Sequence, residues 1–308
     1  MAVIKVAREM DYLPNSAAAN LRKGRGNTIG VLIPNIQRQF FTSVINGIDE
    51  VASSKGFNVM IMQSRESFER EKMIVEGLLD GRIEGLIASL SLETTEYSHF
   101  KACIRWGLPT VFFDRVIEEM DSNQVILDDY GGAFKSVEHL VNSGCKLIAH
   151  FSGNVAINVY RDRRRGYINA LKKHGLPVME ELIIEDTLTK ETGYHAMKSL
   201  WKNSPKPDGL FSSGDYSALG AMIYLQERHV DIPGKIKISG FANELFDEFI
   251  QPPLTSVDQH GYDMGKIAAA MLFEEILSGR VEEREKRPTR KITVNPDLIT
   301  RASTSLNI

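Results

Sequence analysis

The densest basic cluster in the chain runs from Arg161 to Tyr167 and holds four arginines around one aspartate. Clusters of this kind most often form a solvated face, and a nucleic-acid surface is the next interpretation. A ligand site is a third, because the guanidinium group is a planar fork of donors that suits sugar hydroxyls or a carboxylate. Composition alone leaves all three interpretations open.

Other side chains that could bind a ligand follow predicted strands. Ligands of open α/β sheets bind outside the carboxyl ends of the strands, so the loops at those ends are candidates. Phe40 and Phe41 follow the first strand, and Asp114 follows the apolar run 111–113. Phe41 fits the apolar stripe of the next helix, which favours a core position and leaves Phe40 as the better ligand candidate. Asp114 could equally be a solvated or capping residue.

No arrangement of residues in the sequence suggests an enzyme active site. The seven histidines lack metal-ligand spacing, and no Gly-x-Ser-x-Gly elbow occurs. Gly24-Arg25-Gly26 precedes a strand, whereas a dinucleotide-binding loop follows one. We therefore predict no catalysis, no cofactor and no metal site.

Length and composition are those of a globular protein with room for two domains. The chain has 308 residues, of which 43% are hydrophobic and 25% charged. No apolar run reaches the length of a membrane helix, and the charged N-terminal residues do not form a signal peptide, which predicts a cytoplasmic protein without a membrane partner. Cys103 and Cys145 are far apart and are expected to be buried thiols.

Charge is unevenly distributed along the chain. Residues 1–26 hold five basic and two acidic side chains, so this segment carries +3 while the whole chain carries −3. The remainder is therefore acidic. This distribution is typical of a basic arm on an acidic core, the arm being suited to a nucleic-acid partner.

The basic arm contains a short segment, residues 12–24, with the features of a helix. Pro14 prevents a helix from entering from the N-terminal side, and either Asn15 or Ser16 can cap the first free amides. Three alanines follow, and Gly24 and Gly26 end the helix. A helix of about eight residues is marginally stable in water. We expect its order to depend on a partner.

Leu21 is the only large apolar residue of this helix, and Arg22 and Lys23 follow it directly. An apolar wedge beside cationic side chains suits a DNA minor groove. The alternative is a flexible linker in which the alanines have no particular role.

From Thr28 onward the apolar pattern alternates between strand and helix. Continuous apolar runs predict buried parallel strands, and apolar stripes at helical spacing predict the helices that cover them. The predicted strands are residues 29–33, 57–62, 85–90, 110–113 and 124–127, then 147–151, 182–184, 209–212 and 236–240. The predicted helices are residues 41–52, 66–79, 94–106, 131–142, 163–174, 191–201, 216–228 and 261–277. Two series in tandem predict two sheets with a cleft between them.

Several ordered motifs resemble the LacI/GalR (lactose-repressor) family of transcription regulators. Tyr12-x-Pro14-Asn15, the small-residue helix, Leu21-Arg22 and then residues 27–31 resemble the hinge of that family as it enters the effector-binding core. Residues 252–259 resemble the return crossing between subdomains, and residues 297–304 resemble the closing strand and tail. The resemblance covers essentially the whole chain from Val3 to Thr304.

The resemblance implies an α/β fold like that of type I periplasmic binding proteins, with two doubly wound parallel-sheet subdomains joined by three crossovers. The crossovers are expected near residues 127–128, 258–259 and 290–295. Residues 27–128 and 259–290 would form the N-terminal core subdomain, and residues 129–258 and 291–308 the C-terminal core subdomain. Residues 1–26 would be the hinge helix and a remnant of the DNA-binding headpiece.

The resemblance also implies a function. It predicts a ligand-responsive bacterial transcription regulator, most simply a repressor, that binds a sugar or sugar derivative in the cleft and operator DNA through headpiece and hinge. The effector-binding residues would be Phe40, Phe41, Asp114, Arg163, Leu188, Asp215 and Asn243, and the hinge residues on DNA would be Asn15, Ala18, Leu21, Arg22 and Lys23. The alternative is a sugar-binding or sensor protein of the same fold without specific DNA binding.

Arg163 stands where the Arg-x-x-Gly motif of the family places an arginine in the effector cleft. We expect Arg163→Ala to remove effector binding with little loss of stability.

Three positions depart from the family pattern. Gly214-Asp215 replaces Asn-Asp, Ala242 replaces the aspartate of Gly-Tyr/Phe-Asp and is followed by Asn243, and Leu188 stands where relatives often place a stacking aromatic residue. These changes weaken the case for a simple pyranose as effector.

The family role requires a headpiece and a dimer. Only the segment corresponding to the last headpiece helix, residues 2–10, precedes the hinge, which a shortened form, a misplaced start codon or a natural relative without a headpiece would explain. Hinge contacts alone should give weak, salt-sensitive DNA binding, roughly 10⁻⁴ to 10⁻⁶ M. A homodimer would place two hinges at a palindrome centre, and the helices at residues 45–52 and 267–277 are candidate interface elements.

Overall fold

The computed structural model describes residues 26–79, 83–202, 205–277 and 288–305. The predicted headpiece remnant and hinge helix, with the DNA-binding residues Asn15, Ala18, Leu21, Arg22 and Lys23, lie outside the described residues. Those predictions stay predictions.

The described chain alternates between strands and helices as its apolar pattern predicts. In chain order the elements are β1 (Thr28–Ile33), α1 (Gln39–Ser54), β2 (Asn58–Gln63), α2 (Phe68–Leu78), β3 (Leu86–Ala88), α3 (Ser98–Arg105), β4 (Thr110–Phe113), β5 (Asn123–Leu127), α4 (Asp129–Asn142), β6 (Ile148–Phe151), α5 (Asn158–Lys173), β7 (Ile183–Ile184), α6 (Lys190–Lys202), β8 (Gly209–Ser212), α7 (Asp215–Glu227), β9 (Lys237–Phe241), β10 (Thr255–Asp258), α8 (Gly261–Leu277), β11 (Lys291–Val294) and β12 (Asp297–Ile299). Short 3₁₀ helices lie at Glu180–Leu182 and Leu245–Glu248.

The strands form two six-stranded sheets. The first has the order β11-β5-β4-β3-β1-β2 and the second the order β12-β10-β9-β8-β6-β7. Every pair is parallel except β10 with β12, which is antiparallel. This arrangement confirms the predicted α/β fold with two doubly wound subdomains.

The chain crosses between the sheets three times, after β5, after β10 and after β11. All three crossings agree with the predicted positions, since the third follows Val294, the last residue of β11. The predicted subdomain boundary at residue 290 is wrong, because β11 pairs with β5 in the first sheet, with Lys291 beside Gln124 and Val294 beside Leu127. A four-residue strand of alternating exposure fits the edge of either sheet, so its sequence does not reveal which sheet it joins.

Strand β2 was predicted to be buried, and that prediction is wrong. It lies at the edge of the first sheet, where only β1 pairs with it. Met60 is 41% exposed and Ile61 44% exposed. Apolar runs identify a strand but do not show whether a second strand or a helix covers it.

Helices α1 and α8 pack on each other through small residues. A Cβ atom added to Gly47 would lie 2.1 Å from the Tyr262 carbonyl oxygen, and one added to Gly265 would lie 2.1 Å from the Val44 carbonyl oxygen. The apolar side chains of these helices are largely buried inside the subunit. That the two helices take part in a dimer interface stays a prediction. None of the helices in the described ranges is long and apolar enough to cross a bilayer.

Candidate ligand-binding cleft

A cavity of about 240 Å³ lies between the carboxyl ends of the two sheets. Its walls are formed by the first turns of α1, α5 and α7 and by the loops that follow β1, β2, β3, β4, β7, β8, β9 and β10. Six of the seven predicted effector-binding residues line the cavity, namely Phe40, Phe41, Asp114, Arg163, Leu188 and Asp215. Asn243 is not among the lining residues. We call this cavity the cleft.

Phe40 and Phe41 form an apolar wall of the cleft. Both side chains are buried, and their rings pack edge to face with centroids 5.1 Å apart. Phe41 also packs against Phe113 of β4, with ring centroids 6.1 Å apart. Phe41 thus occupies the core position expected from the helical stripe while part of it borders the cleft.

Arg163 is held by a buried ion pair below the cleft. Its Nε donates to Asp129 Oδ1 at 2.7 Å, its Nη1 donates to the Ser213 carbonyl oxygen at 2.8 Å, and its guanidinium carbon lies 3.7 Å from the centroid of the Phe241 ring. The Arg163 side chain is 6% exposed. Full burial raises the pKa of Asp129 to about 7, and the neighbouring Arg163 opposes that rise.

These contacts overturn the expectation that Arg163 can be removed with little loss of stability. Without Arg163, Asp129 would be a buried carboxylate without its ion-pair partner, which is costly in a low-dielectric environment. A loss of ligand binding in Arg163→Ala would therefore not by itself show that Arg163 touches the ligand.

The basic cluster around Arg163 is divided between two roles. Only Arg163 is buried, while Arg161, Arg164 and Arg165 form ion pairs near the surface. Arg161 contacts Glu118 of the first subdomain through both terminal nitrogens, at 2.8 and 2.9 Å. The paired arginines fit the interpretation of a solvated face better than that of a nucleic-acid surface.

Asp114 and Arg115 lie side by side at the end of β4. Asp114 adopts a left-handed conformation with φ of 59°, and its Oδ2 is 4.0 Å from Arg115 Nε. Arg115 directs Nη1 to Glu66 Oε2 at 2.7 Å. Burial raises the pKa of Asp114, and Arg115 and Arg163 oppose the rise. The Asp114 carboxyl borders the cleft and can accept hydrogen bonds from the hydroxyl groups of a ligand.

Asn243 holds a turn and does not face the cleft. Its Nδ2 donates to Asp258 Oδ2 at 3.0 Å, and its Oδ1 accepts from Arg301 Nη2 at 2.7 Å. Ala242 and Asn243 have φ values of 141° and 51°, so the backbone is strained at both residues. This turn directs the next residue, Glu244, toward the cleft.

Glu244 is the cleft residue that the sequence interpretation missed. It is buried, and its Oε2 accepts from the backbone N–H of Gln39, at the start of α1 in the opposite subdomain, at 3.2 Å. Burial raises the pKa of Glu244 to about 7. The available signal was the acidic residue two positions after Ala242, where the aspartate expected from the family pattern is absent.

Asp215 supports the Glu244 loop from below. Its Oδ1 accepts from Ser256 Oγ at 2.7 Å, and its Oδ2 accepts from the backbone N–H of Glu244 at 3.1 Å. Asp247 lies beside it, and burial together with the Asp215 charge raises the pKa of Asp247. Burial also raises the pKa of Asp215, so the two neighbouring carboxyl groups favour holding one proton between them.

Arg38 is a second missed residue, and it joins the two subdomains across the cleft mouth. Its Nη2 donates to the Leu188 carbonyl oxygen at 3.1 Å, and its guanidinium carbon lies 4.0 Å from the centroid of the Tyr216 ring. Leu188 thus lines the cleft, and its carbonyl oxygen accepts the hydrogen bond that links the two subdomains.

Metal and thiol chemistry find no support in the described ranges. No group of three or more His, Cys, Asp or Glu residues among them is placed to hold a metal ion. Cys103 and Cys145 are buried and unpaired, and burial raises their pKa values to about 11 and about 12, so neither is a reactive thiolate at neutral pH.

We predict that Arg163→Ala lowers the free energy of unfolding by about 3 to 5 kcal/mol, because Asp129 loses its buried partner. Arg165→Ala is the matched control in the same helix. The Arg165 side chain is 61% exposed, pairs with Asp162 along the helix and lies 5.5 Å from the centroid of the Tyr130 ring, so its loss should change stability by less than about 1 kcal/mol. Urea denaturation of both variants measures the difference. A loss below about 1 kcal/mol for Arg163→Ala would contradict the structural role.

The chain is similar in sequence to a known domain family and to two named bacterial proteins. The profile of the periplasmic binding protein-like domain family matches residues 137–304. The chain is 29% identical over 271 residues to catabolite control protein A of Priestia megaterium, covering 88% of this chain and 81% of that protein. It is 27% identical over 305 residues to the ribose operon repressor of Halalkalibacterium halodurans, covering 98% and 87% respectively.

Two solved structures have the same architecture. The transcriptional regulator CelR in complex with cellobiose superimposes with a TM-score of 0.82 at 23% identity, covering 98% of this chain and 89% of that one. A LacI family regulator from Enterococcus faecium with bound ribose superimposes with a TM-score of 0.77 at 24% identity, covering 90% and 98% respectively. At these identities the two structures show the fold alone.

Proposed function

We propose that this chain, which belongs to the periplasmic binding protein-like domain family and to the LacI/GalR regulators within it, is a cytoplasmic transcriptional repressor controlled by a small sugar-like effector in the cleft. The observation that carries the proposal is the cleft itself. It lies at the carboxyl ends of both sheets, where open α/β sheets bind ligands, and polar side chains from both subdomains converge on it.

The size of the cleft supports a small effector. A volume of about 240 Å³ is close to the lower end of the range for small-molecule sites, roughly 300 to 1,000 Å³. That space suits one sugar ring with its hydroxyl groups. The named relatives support the same class, because one is a ribose operon repressor and two solved structures hold cellobiose or ribose.

Contacts across the cleft allow a bound ligand to change the relative orientation of the two subdomains. Glu244 and Arg38 bridge the subdomains on one side, and Arg161 contacts Glu118 on another. A ligand held between the subdomains favours the closed arrangement by its difference in affinity for closed and open states. We propose that this change alters the spacing of the two hinges in a dimer and thereby DNA binding.

Ligand and DNA binding can be tested together. In a thermal-shift screen of neutral sugars and sugar derivatives, at least one compound should raise the melting temperature of the protein. With a helix-turn-helix domain added upstream, fluorescence anisotropy should show a preference for a palindromic duplex over a scrambled one. The sugar should change that affinity by about fivefold or more, and Leu21→Ala should weaken it.

The outcomes of this experiment separate the two candidate functions. Sugar binding without any sequence preference or sugar effect on DNA would favour the sensor protein without specific DNA binding. No response to any sugar, together with no effect of small molecules on DNA binding, would contradict the proposal.

We also propose a homodimer, in which exposed apolar side chains are buried between two copies. Leu245 is 66% exposed and Phe249 79% exposed on the loop after β9, and Met60 and Ile61 are exposed on the edge strand β2. Exposed apolar residues in both subdomains are typical of an interface that spans both.

Sedimentation equilibrium tests the homodimer. We expect the wild type to be dimeric at micromolar concentration and the double variant Leu245→Glu/Phe249→Glu to shift toward monomer, because the interface would have to bury two carboxylates. Trp106→Glu is the control, since Trp106 is also highly exposed but lies at the end of α3. A monomeric wild type would contradict the homodimer.

A further inference from the structure

We infer that Glu244 and Asp114 make the cleft selective against anions, so that the effector is a small polyhydroxylated molecule without negative charge. Phosphorylated sugars and sugar acids are thereby excluded. This inference rests on the proposed function and specifies the ligand class of the same site.

The cationic groups of the cleft are already committed to partners in the protein. Arg163 is paired with Asp129 at 2.7 Å, and Arg115 with Glu66 at 2.7 Å. Arg38 stacks on an aromatic ring and donates to a carbonyl oxygen across the cleft. Arg115 Nε is buried without a hydrogen-bond partner among the described residues, so some donor capacity is left. The positive charges of Arg163 and Arg115 are nevertheless balanced by the carboxylates that they pair with, which weakens their attraction for a phosphate or carboxylate.

The acidic groups of the cleft are in excess. Glu244 and Asp114 both border it and form no ion pair closer than 4.0 Å among the described residues. Asp215 adds a third carboxyl, although its oxygens already accept hydrogen bonds from the protein. Where these carboxyl groups are ionised, an incoming anion would meet like charges from both subdomains. Their oxygens can accept hydrogen bonds from neutral hydroxyl groups in either protonation state.

The position of Glu244 makes it the residue on which this selectivity depends. It lies on a turn fixed by the two positive φ values and by the contacts of Asn243 with Asp258 and Arg301, so the loop cannot swing its carboxylate away at little cost. Its hydrogen bond from the Gln39 N–H keeps the carboxyl in the wall of the cleft, between the two subdomains.

Proton uptake or release by Glu244 supplies a second readout of the contact between its carboxyl group and the ligand. The groups that influence it are Arg38 and Tyr216 nearby, and Asp215 and Asp247 beneath the loop. Because burial holds the pKa of Glu244 near 7, hydroxyl groups that donate to its ionised form would lower that pKa and release protons on binding. An anion beside Glu244 would raise the pKa and take up protons.

The test compares ligands that differ only in charge. Isothermal titration calorimetry at pH 7 would use ribose with ribose 5-phosphate, and glucose with glucose 6-phosphate, glucuronate and glucosamine, with inorganic phosphate as an anion probe. We expect a neutral or amine-bearing sugar to bind, its anionic counterpart to bind roughly 100-fold more weakly, and phosphate not to bind. Titrations in buffers of different ionisation enthalpy should show proton release.

Variants then assign the selectivity to Glu244. Glu244→Gln should bring the anionic counterpart to within about tenfold of the neutral sugar and abolish most of the proton release. Glu248→Gln is the control, because Glu248 lies on the 3₁₀ helix that follows Glu244 and its side chain is 64% exposed, away from the cleft lining. It should bind like the wild type.

Two results would overturn the inference in distinguishable ways. An anionic counterpart that binds as tightly as the neutral sugar would refute the charge selectivity and leave the proposed function standing. Failure of every sugar in the set to bind would remove the proposed function itself, and the inference with it.

Discussion

The cleft depends on one buried ion pair, between Arg163 and Asp129. Asp129 is the first residue of α4, Arg163 lies within α5, the carbonyl oxygen of Ser213 follows β8, and the ring of Phe241 ends β9. One guanidinium group therefore ties four elements of the second subdomain at a single point. In a low-dielectric environment each of these charges requires its partner, so the floor of the cleft forms as a unit.

Residues of both subdomains are needed to form the rest of the cleft above this ion pair. Glu244 meets the N-terminus of α1, where a carboxylate is favoured by the helix dipole, and Arg38 returns the contact from the first subdomain. Because these contacts bridge the two halves and also border the ligand space, a ligand bound there, as proposed, would couple its own chemistry to the arrangement of the subdomains. This coupling is what a ligand-controlled regulator needs.

Sequence patterns predicted the fold and the position of the cleft, because apolar runs and helical stripes carry that information. The family motifs led to Arg163 and Asp114, and the comparisons confirm the family. The pattern did not reveal that Arg163 is a buried structural residue, since its partner Asp129 is 34 residues away. Nor could it reveal Glu244, because its direction is set by an unusual turn conformation that leaves no periodic signal.

The central claim is that one small molecule binds between the two subdomains and contacts both. Hydrogen–deuterium exchange of the wild type with and without a sugar that binds tests it most directly. We expect slower exchange in two separate segments at once, the start of α1 near Gln39 and the loop of the second subdomain that contains Glu244. Protection confined to one subdomain, or located away from the cleft, would contradict it.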